Sequence, residues 1–147
     1  MPTKNVALGG CWLLDSSAVL VLLRGELGHQ RVRSVIGNAE QILVASISIA
    51  EISRRIRDLG ANDAEVENVI GLCKSLATRF IDIDVPIAER SLQLNAASTK
   101  RIPLADALIA ACAAQEDAIL LHRDQHFENI PENLLKQESL PRNLAVN

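Results

Sequence analysis

Asp106 is the only polar side chain in LADALIAACAA (104–114). A carboxylate isolated in such a run is costly unless it is protonated, paired or bound to a cation. Two further acids share that isolation. Asp15 is the only charge between Cys11 and Leu23, and Glu51 is the only one between Glu40 and Arg54. A fourth, Asp124, follows the apolar run AILL (118–121). Taken singly, each has a structural explanation. Asp106 suits a helix first turn through the macrodipole, and Asp124 suits a cap or turn. Glu51 has Arg54 and Arg55 at helical pairing distance. Taken together they describe different chemistry. Carboxylates brought within a few ångströms repel unless one keeps a proton or a cation lies between them. Oxygen ligands with few histidines select Mg²⁺ or Mn²⁺ over zinc. An ion held in that way keeps waters, recruits phosphates and promotes phosphodiester hydrolysis.

The surrounding pattern brings these acids to one edge. CWLL (11–14), QILVA (41–45) and AILL (118–121) are short apolar runs of the kind buried in parallel sheets. RFIDID (79–84) alternates as a strand, with Asp82 and Asp84 read as solvent-side or capping residues. Helices are expected after each run: one opened by Ser16 or Ser17, one over 29–39 stopped near Gly37 and Asn38, and one over 46–60 ended by Gly60. Another begins at Asn62 or Asp63, one opens with Pro86, and the apolar helix takes Pro103 as its first residue. LLKQ (134–137) reads as an edge strand. The expected organisation is an extension over 1–10, a single domain over 11–137 and a tail over 138–147. Strand–helix alternation implies an α/β fold of three αβα layers around a mostly parallel sheet. In such sheets the chemistry sits at the strand C-termini. Asp15 and Asp124 follow strands, Glu51 lies within two helical turns of one, and Asp106 opens a helix.

Composition narrows the classes. With 147 residues, 48% apolar and 22% charged, the chain is expected to fold as one globular domain. Aromatic content of 2% excludes a base-stacking platform. Cys11, Cys73 and Cys112 lack metal-ligand spacing and read as buried thiols of a reducing cytoplasm. No run approaches the ~20 apolar residues of a membrane span. The net charge of −3 does not advertise nucleic acid, although most of the 15 bases are arginines. Arg31 with Arg33, and Arg54, Arg55 and Arg57, form clusters suited either to a solvated helix face or to phosphate or acid binding.

The ordered set LLDSSAVL, SISIAEI, LADALIAACA and LLHRDQHF resembles a PIN domain, in particular the VapC-type toxin ribonucleases of toxin–antitoxin pairs, over roughly residues 11–130. The resemblance implies a PIN-like fold and a Mg²⁺- or Mn²⁺-dependent endoribonuclease, a hydrolase of RNA phosphodiester bonds. Its catalytic acids would be Asp15, Glu51, Asp106 and Asp124, with Asp15 and Asp106 as metal ligands. It also implies a homodimer and a small antitoxin that covers the acidic groove, with Arg54, Arg55 and Arg57 helping to hold RNA or an acidic segment. Two positions depart from the family pattern. His122 stands where Thr or Ser is usual, and is read as a structural substitute over a proton shuttle, while Asp117 stands where Gly is often found.

Other folds place an acid after the first strand. Haloacid-dehalogenase-like phosphatases want a second Asp at residue 17, which is Ser, and receiver domains want a Lys in the region of AILLHRD, which has none. The remaining alternative is a non-catalytic PIN-like module that binds RNA or protein, whose signature would be loss of the acids.

Overall fold

The computed structural model describes residues 9–142. Five parallel strands form one sheet in the order β3-β2-β1-β4-β5. They are β1 (Cys11–Leu14), β2 (Gln41–Ala45), β3 (Arg79–Ile81), β4 (Ile119–His122) and β5 (Gln137–Ser139). Six helices connect them: α1 (Ser16–Arg24), α2 (His29–Asn38), α3 (Ser46–Asp58), α4 (Asp63–Leu76), α5 (Val85–Ala97) and α6 (Leu104–Gln115). A five-residue 3₁₀ turn spans Gln125–Asn129.

The central strand explains the layering. Trp12, Leu13 and Leu14 are all fully buried, and successive side chains of a strand point to opposite faces. Leu13 therefore joins a core with Leu43, Ile81, Leu94 of α5 and Ile109 of α6. Trp12 and Leu14 join the other, with Val19 of α1, Val35 of α2, Ile52 of α3 and Cys73 of α4. Helices thus cover both faces, as the continuous apolar strands require. The chain runs outward from β1 to β3, then returns to place β4 on the other side of β1. That reversal makes the crevice beyond the ends of β1 and β4 the natural ligand position in an open α/β sheet.

Several local readings are corrected by the structure. Asp15, not Ser16 or Ser17, caps α1, its carboxylate accepting the Ser17 N–H. Pro103 is the capping residue before α6 and not its first helical residue. Helix α2, by contrast, ends at Asn38, where the sequence reading stops it. Strand β3 is shorter than RFIDID and ends at Ile81, while Asp82 is exposed and Asp84 caps α5 through the Ile87 N–H, as their reading expects. The edge strand lies at Gln137–Ser139 and not at 134–137, and Leu140 beyond it is buried. Leu134 and Leu135 serve the core, with the latter fully enclosed, so the apolar pair that suggested a strand is a loop anchor. Most of the 1–10 extension lies outside the described residues.

Asp117 accounts for one departure noted in the sequence. Its φ of 51° places it in the left-handed region, where Gly carries no Cβ penalty and Asp is among the better tolerated alternatives. The cysteines are free, Cys73 and Cys112 buried and Cys11 half-buried. Burial pushes the Cys112 thiol up to about 12, consistent with a packing role.

Candidate active site

Asp15 sits where β1 ends, and its own N–H still donates to Leu121 O at 3.0 Å, so the β1–β4 pairing carries it into the crevice. Its Oδ2 accepts the Ser17 N–H at 3.1 Å and the Ser17 hydroxyl. That hydroxyl in turn accepts the Arg123 N–H at 2.9 Å, which ties the end of β1 to the end of β4. Oδ1 is different: it is buried and has no hydrogen-bond partner among the described residues. Glu51, on the second turn of α3, repeats the situation, with a buried Oε1 that no donor among the described residues reaches. Buried polar atoms are nearly always satisfied, and a cation is one partner that would satisfy both of these carboxylate oxygens.

Asp106 lies in the first turn of α6 and is 8% exposed. Its Oδ2 is 3.0 Å from His126 Nδ1, and the same nitrogen is 3.0 Å from Asp124 Oδ1. Asp124 caps the 3₁₀ turn by accepting the His126 N–H at 3.0 Å. One ligand atom from each of Asp106, Asp124 and His126 lies within 4.8 Å of the others, so these three can hold a metal ion.

The four acids expected from the sequence share one electrostatic field. Burial raises Asp106 to about 6, and the charges of Asp124 and Asp15 push the same way, with His126 opposing them. Glu51 is raised to about 7, first by burial and then by Asp15, Asp106 and Asp124, with a Ser16 hydrogen bond opposing. Asp15 is raised by burial above all, with Asp124 adding to it and Ser17 resisting. Repulsive carboxylates crowded into a half-dry crevice are the donor set that hard divalent cations seek. The orphaned oxygens and this mutual repulsion fit Mg²⁺ or Mn²⁺.

His122 resolves as structural. It is fully buried, its Nδ1 accepts the Asp124 N–H at 3.1 Å, and its Nε2 lies 2.8 Å from Gln137 Oε1. An Nδ1 that accepts has no proton, so Nε2 carries it and donates to Gln137. Gln137 then donates to Phe127 O at 2.8 Å, and burial holds the imidazole below its ordinary pKa. The ring is thus a neutral spacer that fixes the Asp124 backbone from beneath. His122→Ala should cost on the order of 2–4 kcal/mol, since it leaves a cavity and unpaired groups on both sides. Chemical denaturation checks it; a loss under about 0.5 kcal/mol would contradict this role.

The arginine clusters divide. Arg31 forms a bidentate pair with Glu138 at 2.7 Å and lies over the Trp12 ring, so it binds an acid of its own chain. Arg57 pairs with Asp63, while Arg54 and Arg55 are exposed on α3 beyond Glu51. The residue missed from sequence is His126. Its signal is the Asp-x-His spacing after β4, which puts an imidazole over the carboxylate that caps its own turn.

Residues 12–133 match the family model described as PIN domain. Among solved structures, the chain is similar to VapBC2 from Rickettsia felis bound to a DNA fragment from its promoter, with TM-score 0.72 at 18% identity, covering 88% of this chain and 98% of that one. A toxin–antitoxin complex from Klebsiella pneumoniae matches with TM-score 0.63 at 24% identity, covering 82% and 92%. VapC20 from Mycobacterium tuberculosis, described as a sarcin–ricin-loop-cleaving toxin, matches with TM-score 0.63 at 11% identity, covering 79% and 92%. At these identities the likeness establishes the fold. No curated protein matches the chain in sequence.

Proposed function

Because this chain belongs to the PIN-domain family, we propose that it is a Mg²⁺- or Mn²⁺-dependent endoribonuclease, the toxin of a toxin–antitoxin pair. What supports this reading is the electrostatic coupling of Glu51 and Asp106 to Asp15 and Asp124, with Asp15 Oδ1 and Glu51 Oε1 buried and without a hydrogen-bond partner among the described residues. A cation bound there supplies charge neutralisation at a phosphoryl oxygen and a water acidified toward neutral pH.

Asp15 and Asp106 are the residues that would hold it. Ser17 occupies Asp15 Oδ2 and leaves Oδ1 to ligate. Asp106 offers its carboxylate from the rigid first turn of α6, opposite Asp124. Glu51, whose proton affinity in the metal-free protein lies near neutral pH, is suited to accept a proton from the attacking water at its carboxylate. Arg54 and Arg55 project from the same helix as Glu51, and their charges suit an RNA backbone leaving the crevice.

One apolar groove is suited to a protein partner. Between α1, α3 and α4 the apolar residues Leu20, Leu23, Ile56, Leu59 and Val69 line a groove of about 320 Å³. A cognate antitoxin that covers the acidic crevice, and a second copy in a homodimer, are the partners this reading requires. Among the described residues no helix is long and apolar enough to cross a membrane, and a cytoplasmic site of action goes with the proposal.

The test is cleavage of a panel of structured and single-stranded RNAs by purified protein. Cutting is expected with Mg²⁺ or Mn²⁺ and silence in EDTA. Binding of RNA without cutting in any metal would replace this reading with the non-catalytic PIN-like module. Cutting that continues in chelator, with contaminating nucleases excluded, would refute the metal site.

A further inference from the structure

The proposed site draws its ligands from carboxylates, yet its outer wall is an imidazole. His126 Nδ1 is 3.0 Å from Asp106 Oδ2 and 3.0 Å from Asp124 Oδ1. Asp124 sets this up locally, since the carboxylate that accepts the His126 N–H also lies against its ring. The turn is anchored by Phe127, which is fully buried with its ring centroid 4.8 Å from that of His122. The His126 side chain is 44% exposed, so it is not placed there to fill the core.

A surface histidine beside two acids would by itself be an ordinary ion pair. What distinguishes this one lies behind it. Asp15 is 3% exposed, its Oδ1 has no hydrogen-bond partner among the described residues, and its charge acts on Asp106 while that of Asp124 acts on it. Both carboxylates at 3.0 Å are acceptors, so in the metal-free protein Nδ1 must present its proton to them. The N–H therefore stands between Asp106 and Asp124, where a cation would otherwise neutralise them.

We propose that His126 Nδ1 is itself a metal ligand, which makes the site a mixed oxygen–nitrogen centre with a preference for Mn²⁺ over Mg²⁺. This rests on the metal-site reading above. On ligation Nδ1 offers its lone pair and the single proton of the neutral ring resides on Nε2. Imidazole is a poor ligand for the hard, water-retaining Mg²⁺ and a better one for first-row transition ions.

The test uses the metal-stripped 147-residue chain, loaded with Mn²⁺ alone or Mg²⁺ alone. Spin-echo modulation spectroscopy of bound Mn²⁺ should show coupling to a ligand nitrogen in the wild type, and none in His126→Ala. Calorimetry should show the same variant weakening Mn²⁺ binding by on the order of tenfold or more. Its Mg²⁺ affinity should change by less than about threefold, because imidazole contributes little to a magnesium site. Absence of the nitrogen signal in the wild type would overturn the proposal, and that measurement needs no variant to fold. Equal weakening for the two ions would also overturn it. Asp106→Asn separates this failure from failure of the site itself. If wild type binds Mn²⁺ and Asp106→Asn does not, while the wild-type spectrum lacks nitrogen, the carboxylate site stands and only the His126 assignment falls. If wild type binds neither ion, both fall.

Discussion

Asp106→Asn should melt higher than the wild type when both are stripped of metal, and should lose RNA cleavage. The substitution removes a charge with little change in shape, and its amide oxygen can still accept from His126 Nδ1. Ionised Asp106 is disfavoured in the fold, as its rise to about 6 by burial and by Asp124 and Asp15 shows. Removing the charge from that buried and repulsive setting is expected to yield about 1–3 kcal/mol, or several degrees in Tm for a chain of this size. Added Mn²⁺ should then stabilise the wild type by about 3 kcal/mol at a hundredfold excess over Kd, and the variant by much less. Cleavage should fall by at least about 100-fold. A purely structural Asp106 requires the reverse: a variant destabilised by about 1 kcal/mol with its metal response intact. Paired melting curves in EDTA and in millimolar Mn²⁺ separate the two.

The second large effect is in pH. Glu51 is raised to about 7 and Asp106 to about 6, chiefly by burial. A carboxylate whose folded pKa exceeds its unfolded value binds protons more readily in the folded state. Its favourable contribution is complete below the unfolded pKa, near 4, and is lost as pH rises through the folded pKa. The metal-free protein should therefore lose on the order of 2 kcal/mol between about pH 4.5 and 7.5 from this cluster. His122 acts oppositely: its pKa is lowered by burial, so its contribution is present at neutral pH and is lost as pH falls. Comparing wild type with Glu51→Gln at each pH cancels His122 and isolates the acids. The variant should gain on the wild type as pH rises, and saturating Mn²⁺ should erase most of the difference. Parallel stability curves across that range would contradict a shared carboxylate field.

How much of this was legible in the sequence follows from where charge and apolar residues alternate. Asp15, Glu51 and Asp106 stand out because each breaks a run that packs into the sheet or its helices, and the structure buries or half-buries all three. CWLL, QILVA and AILL are legible for the same reason, being strands with both faces covered. His126 is hard to read because its only mark, the Asp-x-His spacing, lies in a polar stretch, HRDQH, among side chains of similar character. Only the tight turn capped by Asp124 folds it back onto the acids. The partner that receives the His122 Nε2 proton is Gln137, fifteen residues away on the edge strand, a contact that no local pattern encodes. That edge strand was misplaced because its residues, Gln-Glu-Ser, are held by β4 and the Arg31–Glu138 pair and not by their own hydrophobicity.

Cleavage of one labelled RNA by wild type and by Asp15→Asn, side by side in Mn²⁺, tests the four-acid site most directly. Asn is as good an N-cap as Asp, so α1 keeps its start and the variant keeps its fold, as circular dichroism would verify. Wild type is expected to cut, and the folded variant to cut at least about 100-fold more slowly. A folded Asp15→Asn that cuts as fast as the wild type would show that the reaction takes place somewhere other than this crevice.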